Sequence, residues 1–409
     1  MIWLVVIVGL LLLIFLHELG HFTAALLLGI RPRAFYIGFP PAIAKVKYRG
    51  IEYGIGAIPL GGFVRIPGMH RPAGHDLEAY LGPALREDPS LAPPMQRVRR
   101  ALEAGDLDGA RAGLPELEQA VAAATLTPAA QRSARRALRD VEEGTSSDAY
   151  WRQPTWKRVA ALAAGPAANI LVAFVIFFAV YLTGAPSATP STEVGAVEAN
   201  TPAAVAGLKP GDTLVAVDGH PATTFQRVSA LIRGSHGKPI TVTVRRGGRT
   251  VTLGPRATIR SGGRYIWGFV PSAKLISYPA GHSARLAIDD CWLVVTGTGK
   301  AIGALFAGHE RGQLTSTVGI VRVSAAALRV GLNYYLQILA FVSMSLALFN
   351  LLPFLPLDGG HITFSIIEGI RRRAVPREVY ERASVLGMAL IALIAIIAFS
   401  NDFSGGGPH

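Results

Sequence analysis

Four stretches of the chain stay apolar for about 20 residues, the length a helix needs to cross a bilayer. They run from Ile2 to about Leu28, from about Val159 to Leu182, from about Tyr334 to Phe354, and from about Ala383 to Phe399. The first resembles a secretory leader in position only. It has no basic opening segment, and a leader's apolar region is about 7–15 residues. It also holds His17, Glu18 and His21 inside the apolar run, so we read it as a mature span.

The connections between spans differ in texture. In the first, GIGAIPLGGFVRIPG (Gly54 to Gly68) is apolar, glycine-broken and too short to span, which predicts a β-hairpin or re-entrant loop. The stretch from about Pro83 to Glu143 has helical periodicity with polar faces, and predicts a small soluble helical hairpin. In the second connection, β-branched runs such as TLVAVDG, ITVTVRR and RTVTLG alternate with glycine turns and predict a β-rich domain. The third is short and carries Arg371, Arg372, Arg373 and Arg377. Short basic loops stay in the cytoplasm. Four spans then place both termini and the β-rich domain outside, and the helical insert inside.

Composition agrees with a membrane protein: 50% of the 409 residues are hydrophobic and only 16% charged, with a mean hydropathy of +0.37. The net charge of +13 is assigned to anionic lipid rather than nucleic acid, because no nucleic-acid-binding motif accompanies it. Cys291 is the single cysteine, which excludes an internal disulfide and any paired-cysteine metal site.

The chemistry concentrates in HELGH, from His17 to His21. Residues four apart share a helix face, so both histidines can reach one ion. This spacing suits Zn²⁺, with Glu18 placed as general base. Three ionisable groups in a lipid span are costly unless paired or liganded. A catalytic zinc site needs a third protein ligand, and NLLPFLPLDGGH (Asn350 to His361) offers Asp358 in apolar surroundings. A helix cap is the other reading of Asp358. His361 is a rival ligand, read as lying beside the site or at the surface.

With these residues in view, the chain resembles the site-2 protease family of intramembrane zinc metalloproteases, and within it the bacterial group of the regulator of sigma-E protease. HELGH, PLGGFVRIPG, AGPAANI (Ala164 to Ile170) and NLLPFLPLDGG carry the resemblance. It implies that His17, His21 and Asp358 bind zinc and that Glu18 is the catalytic base. PLGGFVRIPG resembles the family's re-entrant β-loop, which makes Gly61, Gly62 and Phe63 candidates to receive an unwound substrate as an added strand. Asn350 matches the asparagine ahead of the aspartate motif. It would hold substrate backbone or make an interhelical hydrogen bond. AGLKPGDTLVAVDGH (Ala206 to His220) resembles a PDZ signature in which Leu208, Leu214 and Val217 enter the core.

The expected architecture is a multi-pass α-helical membrane protein with four transmembrane helices, an extracytoplasmic β-rich PDZ domain and a cytoplasmic helical insert. Its divisions are 1–68 (first helix and β-loop), 69–150 (insert), 151–183 (second helix), 184–275 (PDZ domain), 276–333 (linker), 334–372 (third helix with LDGG) and 373–409 (fourth helix and tail). The insert is longer than the family pattern implies. The resemblance also implies the bacterial inner membrane, with membrane-spanning substrates such as trimmed anti-sigma factors or leftover signal peptides. No oligomeric state follows from the residues. A metal transporter and a silent PDZ scaffold are the rival functions. The first lacks the repeats and ionisable path of transporters, and the second has no use for Glu18.

Overall fold

The computed structural model describes residues 1–261, 264–306 and 316–403. It forms two compact units. One joins Leu11–Ala168 to Phe349–Met388; the other joins Met1–Leu10, Asn169–Leu348 and the chain from Ala389 on.

The elements follow in order. Helix α1 (Ile2–Leu27) leads into strands β1 (Ala34–Tyr48) and β2 (Ile51–Arg65), then helices α2 (Gly74–Glu87), α3 (Ala92–Glu103), α4 (Leu107–Ala123) and α5 (Pro128–Thr145). Helix α6 (Thr155–Thr183) is followed by β3 (Ala185–Val197), α7 (Pro202–Val205), β4 (Thr213–Val217), β5 (His220–Pro221), α8 (Phe225–Gly234) and β6 (Pro239–Arg246). Next come β7 (Arg249–Ala257), β8 (Ile259–Ser261), β9 (Arg264–Ile266) and β10 (Phe269–Ile276). The chain closes with α9 (Ala280–Phe306), α10 (Thr317–Val330), α11 (Leu332–Asn350), α12 (Asp358–Arg371) and α13 (Arg377–Phe403).

Four helices are long and apolar enough to span a membrane: Ile2–Leu27, Thr155–Thr183, Leu332–Asn350 and Glu378–Ser400. Leu4, Val8, Leu171 and Leu386 on them are exposed, as side chains facing acyl chains would be. This is a membrane protein with a β-rich portion.

In the first unit, β1 and β2 fold back on themselves. Residues 42–48 pair with 51–56 around Arg49 and Gly50, both in the left-handed region at φ 48° and 81°. Residues 34–37 pair with 52–55 on one side and with 62–65 on the other. Partner numbers rise together in the first pairing, which therefore runs parallel, and run oppositely in the second. Four short stretches thus make the sheet, with 62–65 at its edge. Phe15 and Phe22 of α1 stack edge-on against Phe35, at 5.8 and 5.1 Å, and fasten this sheet to the helix.

The insert is not a two-helix hairpin. Helices α2 to α5 close around Leu81, Leu91, Val98, Leu117 and Val141, all buried. A polar break ends each periodic run: Asp106 caps α4 by accepting from the Gly109 N–H at 2.8 Å, and Thr127 caps α5. The hairpin reading merged helices whose separating turns are only a few residues long.

In the second unit, an antiparallel sheet runs β10-β3-β4-β6-β7, with β5 beside β4. Leu208, Leu214 and Val217 enter its core together with Trp267. The linker expected over 276–333 is instead mostly helical, holding α9 and α10, while 307–315 lie outside the described residues. The same holds for the tail beyond Phe403. Apolar residues such as Ile288, Trp292 and Leu293, exposed on α9, make that stretch a helix with a lipid-like face rather than a plain connector.

Candidate metal centre

Helix α1 presents two adjoining stripes. Phe15 and Phe22 face the β1–β2 sheet, and Glu18 lies on that side. His17 and His21, one turn apart, face away from it. Both imidazoles are buried, with side chains 8% and 7% exposed. Gly20 makes this possible: an added Cβ would come within 2.4 Å of the Ala164 carbonyl oxygen, so α1 and α6 meet backbone to backbone.

The third group arrives from α12. Gly359 and Gly360 fold tightly onto the backbone of residues 351–355, where a Cβ at either would lie 2.3–2.4 Å from main-chain atoms. That turn delivers Asp358 to the histidines. Leu357, not Asp358, is the N-cap residue, and the Asp358 carboxylate is directed at the imidazoles. Its Oδ2 lies 3.2 Å from His17 Nε2 and 3.1 Å from His21 Nε2, and the two Nε2 atoms are 3.2 Å apart.

Three near-equal separations fit one small cation. Donors at about 2.0–2.1 Å from a tetrahedral zinc stand about 3.3 Å from each other. The tautomer agrees. His21 Nδ1 donates to the Ala161 carbonyl at 3.0 Å, which leaves the Nε2 lone pair pointing at the other two donors. Lone pairs converging at that distance repel unless a cation lies among them. The set is two imidazoles and one carboxylate, a donor group that suits zinc and leaves a position open. Among the described residues this is the one group of three or more metal-type side chains close enough to hold an ion.

The edge stretch 62–65 borders the centre. The Val64 backbone faces the Glu18 carboxylate, and a Cβ on Gly62 would lie 2.8 Å from Glu18 Cγ. Phe63 stacks on Tyr36 at 4.9 Å, and Gly61 lies against the Phe39 ring. Asn350 ends α11, with residues 351–357 between it and Asp358. His361 is not among the grouped donors; its ring lies beside Tyr380, at 6.3 Å between centroids.

Three participants were given no role of their own in the sequence reading: Ala161, and Gly165 and Val64, which stood there only as letters of AGPAANI and PLGGFVRIPG. Ala161 and Gly165 are four apart on α6, and a Cβ on Gly165 would sit 2.2 Å from His21 Nε2. The small residues at 161, 165 and 168 were a visible signal of close helix approach. Val64 acts through its backbone and leaves no trace in residue type.

Known proteins are similar to this chain over nearly its whole length. A protein of Agrobacterium fabrum, by name a zinc metalloprotease, is 32% identical over 96% of this chain and 93% of its own length. Metalloprotease MmpA of Caulobacter vibrioides is 30% identical over 95% of the chain and 92% of its own. The regulator of sigma-W protease RasP of Bacillus subtilis is 27% identical over 95% and 95%. Residues 5–394 match peptidase family M50 as a whole. This match takes in α1, the sheet, the insert, the β-rich portion and α12, and the chain belongs to peptidase family M50, the site-2 type of zinc metalloprotease.

Proposed function

We propose that this protein cleaves peptide bonds within membrane-spanning segments of other proteins, with His17, His21 and Asp358 holding zinc and Glu18 as general base. The observation that carries this is the convergence of three donor atoms at 3.1–3.2 Å beside an edge strand that touches Glu18. When bound, zinc supplies Lewis acidity to a substrate carbonyl and acidifies water toward a pKa of about 7.

A helical substrate hides its carbonyls, so it must unwind before attack. Added as a strand along 62–65, beside Gly61, Gly62 and Phe63, its backbone groups would be satisfied where lipid offers no partner. The Asn350 amide would hold the substrate backbone from the other direction. Glu18 takes the proton from the attacking water as its oxygen bonds to the carbonyl carbon. It then passes that proton to the amide nitrogen as the C–N bond breaks. Ala161 fixes the His21 tautomer throughout.

For topology, Arg371 ends α12 and Arg372 and Arg373 follow it ahead of α13, which supports a cytoplasmic turn there. The β-rich portion then lies outside, in the manner of a PDZ domain screening substrates, and the α2–α5 insert lies inside, at a bacterial inner membrane. The substrates we infer are trimmed membrane-spanning anti-sigma factors or leftover signal peptides; RasP is named for sigma regulation. Fragment proteomics of membranes from cells carrying wild-type or Glu18→Gln protein tests the reading. Uncut segments should accumulate in the variant, and identical fragment patterns would count against proteolysis.

A further inference from the structure

Two helices must stay in register for the three donors to converge. Helix α6 supplies the Ala161 carbonyl that orients His21, and α12 supplies Asp358. The turn at Gly359 and Gly360 fixes only the first residues of α12. The rest of that helix could slide along α6 if apolar contacts alone held it, because such contacts have no direction.

Arg158 supplies the direction. It lies near the foot of α6, three residues before Ala161 and seven before Gly165, so the three share one stripe of that helix. Its side chain is buried, and both of its hydrogen bonds reach α12. Nη1 donates to Glu368 Oε2 at 2.8 Å, and Nη2 donates to the Ser365 carbonyl at 3.0 Å. Ser365 follows Asp358 by seven residues, two turns further and on nearly the same face, about 10 Å along the axis. Tyr150 closes the arrangement. Its hydroxyl donates to the Arg158 carbonyl at 3.4 Å and shares a hydrogen bond with Ser365 Oγ at 2.9 Å. Gly369 lets the helices approach, since a Cβ there would lie 2.5 Å from Thr155 Oγ1.

Stability alone does not account for a guanidinium in this place. Apolar residues of similar volume often hold a fold as well as a buried ion pair does, and the best-attested use of such a pair is to specify register. Here register has a chemical consequence. Metal–ligand distances tolerate only about 0.2 Å, and any slide of α12 carries the Asp358 carboxylate with it.

We propose that Arg158, through Glu368 and the Ser365 carbonyl, sets the register of α12 along α6 and so holds Asp358 at the separation from His17 and His21 that a shared ion needs. Arg158 is then a positioning residue for the metal centre. This rests on the zinc reading above and goes beyond it, because it assigns part of the metal affinity to a pair that touches none of the donors.

The test is zinc affinity of the purified full chain by chelator competition, with the visible spectrum of the Co²⁺-loaded protein as a second readout. Arg158→Met/Glu368→Leu should keep a thermal midpoint near that of wild type, yet bind zinc about 10–100-fold more weakly and show shifted cobalt bands. Arg246→Met/Asp212→Leu, which removes a pair of the same chemistry from the β-rich portion, should leave zinc affinity and the cobalt bands unchanged. If the first double variant does not fold, Arg158→Lys carries the test. It keeps the charge beside Glu368 but lacks the fork that also reaches Ser365, and it should lose zinc affinity severalfold. A folded Arg158 variant that holds zinc as firmly as wild type, with the same cobalt spectrum, overturns the positioning role and leaves the zinc reading intact. A wild-type chain that binds no zinc overturns both.

Discussion

Gly165 of α6 lies directly against His21, with the position of its missing Cβ 2.2 Å from Nε2. The ring can point toward Asp358 because glycine stands at that place. Gly165→Ala must push the imidazole or spread the two helices. Disturbing the support of a ligand histidine typically costs about 10–100-fold in metal affinity. Competition with a chelator should show a loss of that size, and unchanged affinity would mean His21 is not a ligand.

Gly62 plays the matching part for Glu18. A Cβ there would lie 2.8 Å from Glu18 Cγ and 2.8 Å from the Tyr36 carbonyl oxygen. Gly62→Ala should leave zinc in place while shifting the carboxylate, and misplacement on the order of 1 Å can cost about 100-fold in rate. The expected signature is a normal zinc content with kcat reduced by about that factor. Loss of both together would show a wider structural failure.

Arg158 and Glu368 form a mostly buried pair, with side chains 6% and 14% exposed and Nη1 to Oε2 at 2.8 Å. Arg158 also donates to the Ser365 carbonyl, and Tyr150 shares a hydrogen bond with Ser365 Oγ at 2.9 Å. Burial pushes the Tyr150 hydroxyl up to about 12, so it stays neutral. Removing one partner of such a pair costs about 3–5 kcal/mol, whereas replacing both with apolar groups is often near neutral. Arg158→Met should lower the thermal midpoint of the detergent-solubilised protein clearly, and adding Glu368→Leu should recover most of it. No recovery in the double variant would contradict this account.

The β-rich portion carries a pH dependence of its own. Arg246 donates to both oxygens of Asp212, at 2.7 and 2.6 Å, and the Lys209 N–H adds a third bond at 2.8 Å. Arg246 first, and Lys209 with it, holds the Asp212 carboxyl below the usual range. A group depressed on folding adds stability that is fully present above its unfolded pKa of about 4 and is lost as pH falls through the folded value. Protection factors of β6 amides should therefore hold between about pH 5 and 7 and decline below about pH 4. Asp212→Asn should remove that decline and lower protection at pH 7.

Much of the centre was legible because its chemistry is written in residue type. His17, Glu18, His21 and Asp358 are costly in apolar surroundings, and that cost singles them out. The spans were legible for the same reason of contrast. The sheet edge was harder, since the double pairing of residues 34–37 with 52–55 and 62–65 depends on backbone register. The insert hid its turns, because Asp106 and Thr127 are ordinary surface residues until they cap a helix. Residues 276–333 read as a linker because polar residues such as Asp289 and Asp290 interrupt the apolar face of α9.

Zinc content of the purified full chain tests the central claim most directly, measured for wild type and for Asp358→Ala. One zinc per wild-type chain is expected, and far weaker retention in the variant, whose fold can be checked through the intact α2–α5 insert. A wild-type protein without zinc, or a variant that keeps it as firmly, would contradict the assignment of a shared metal centre to α1 and α12.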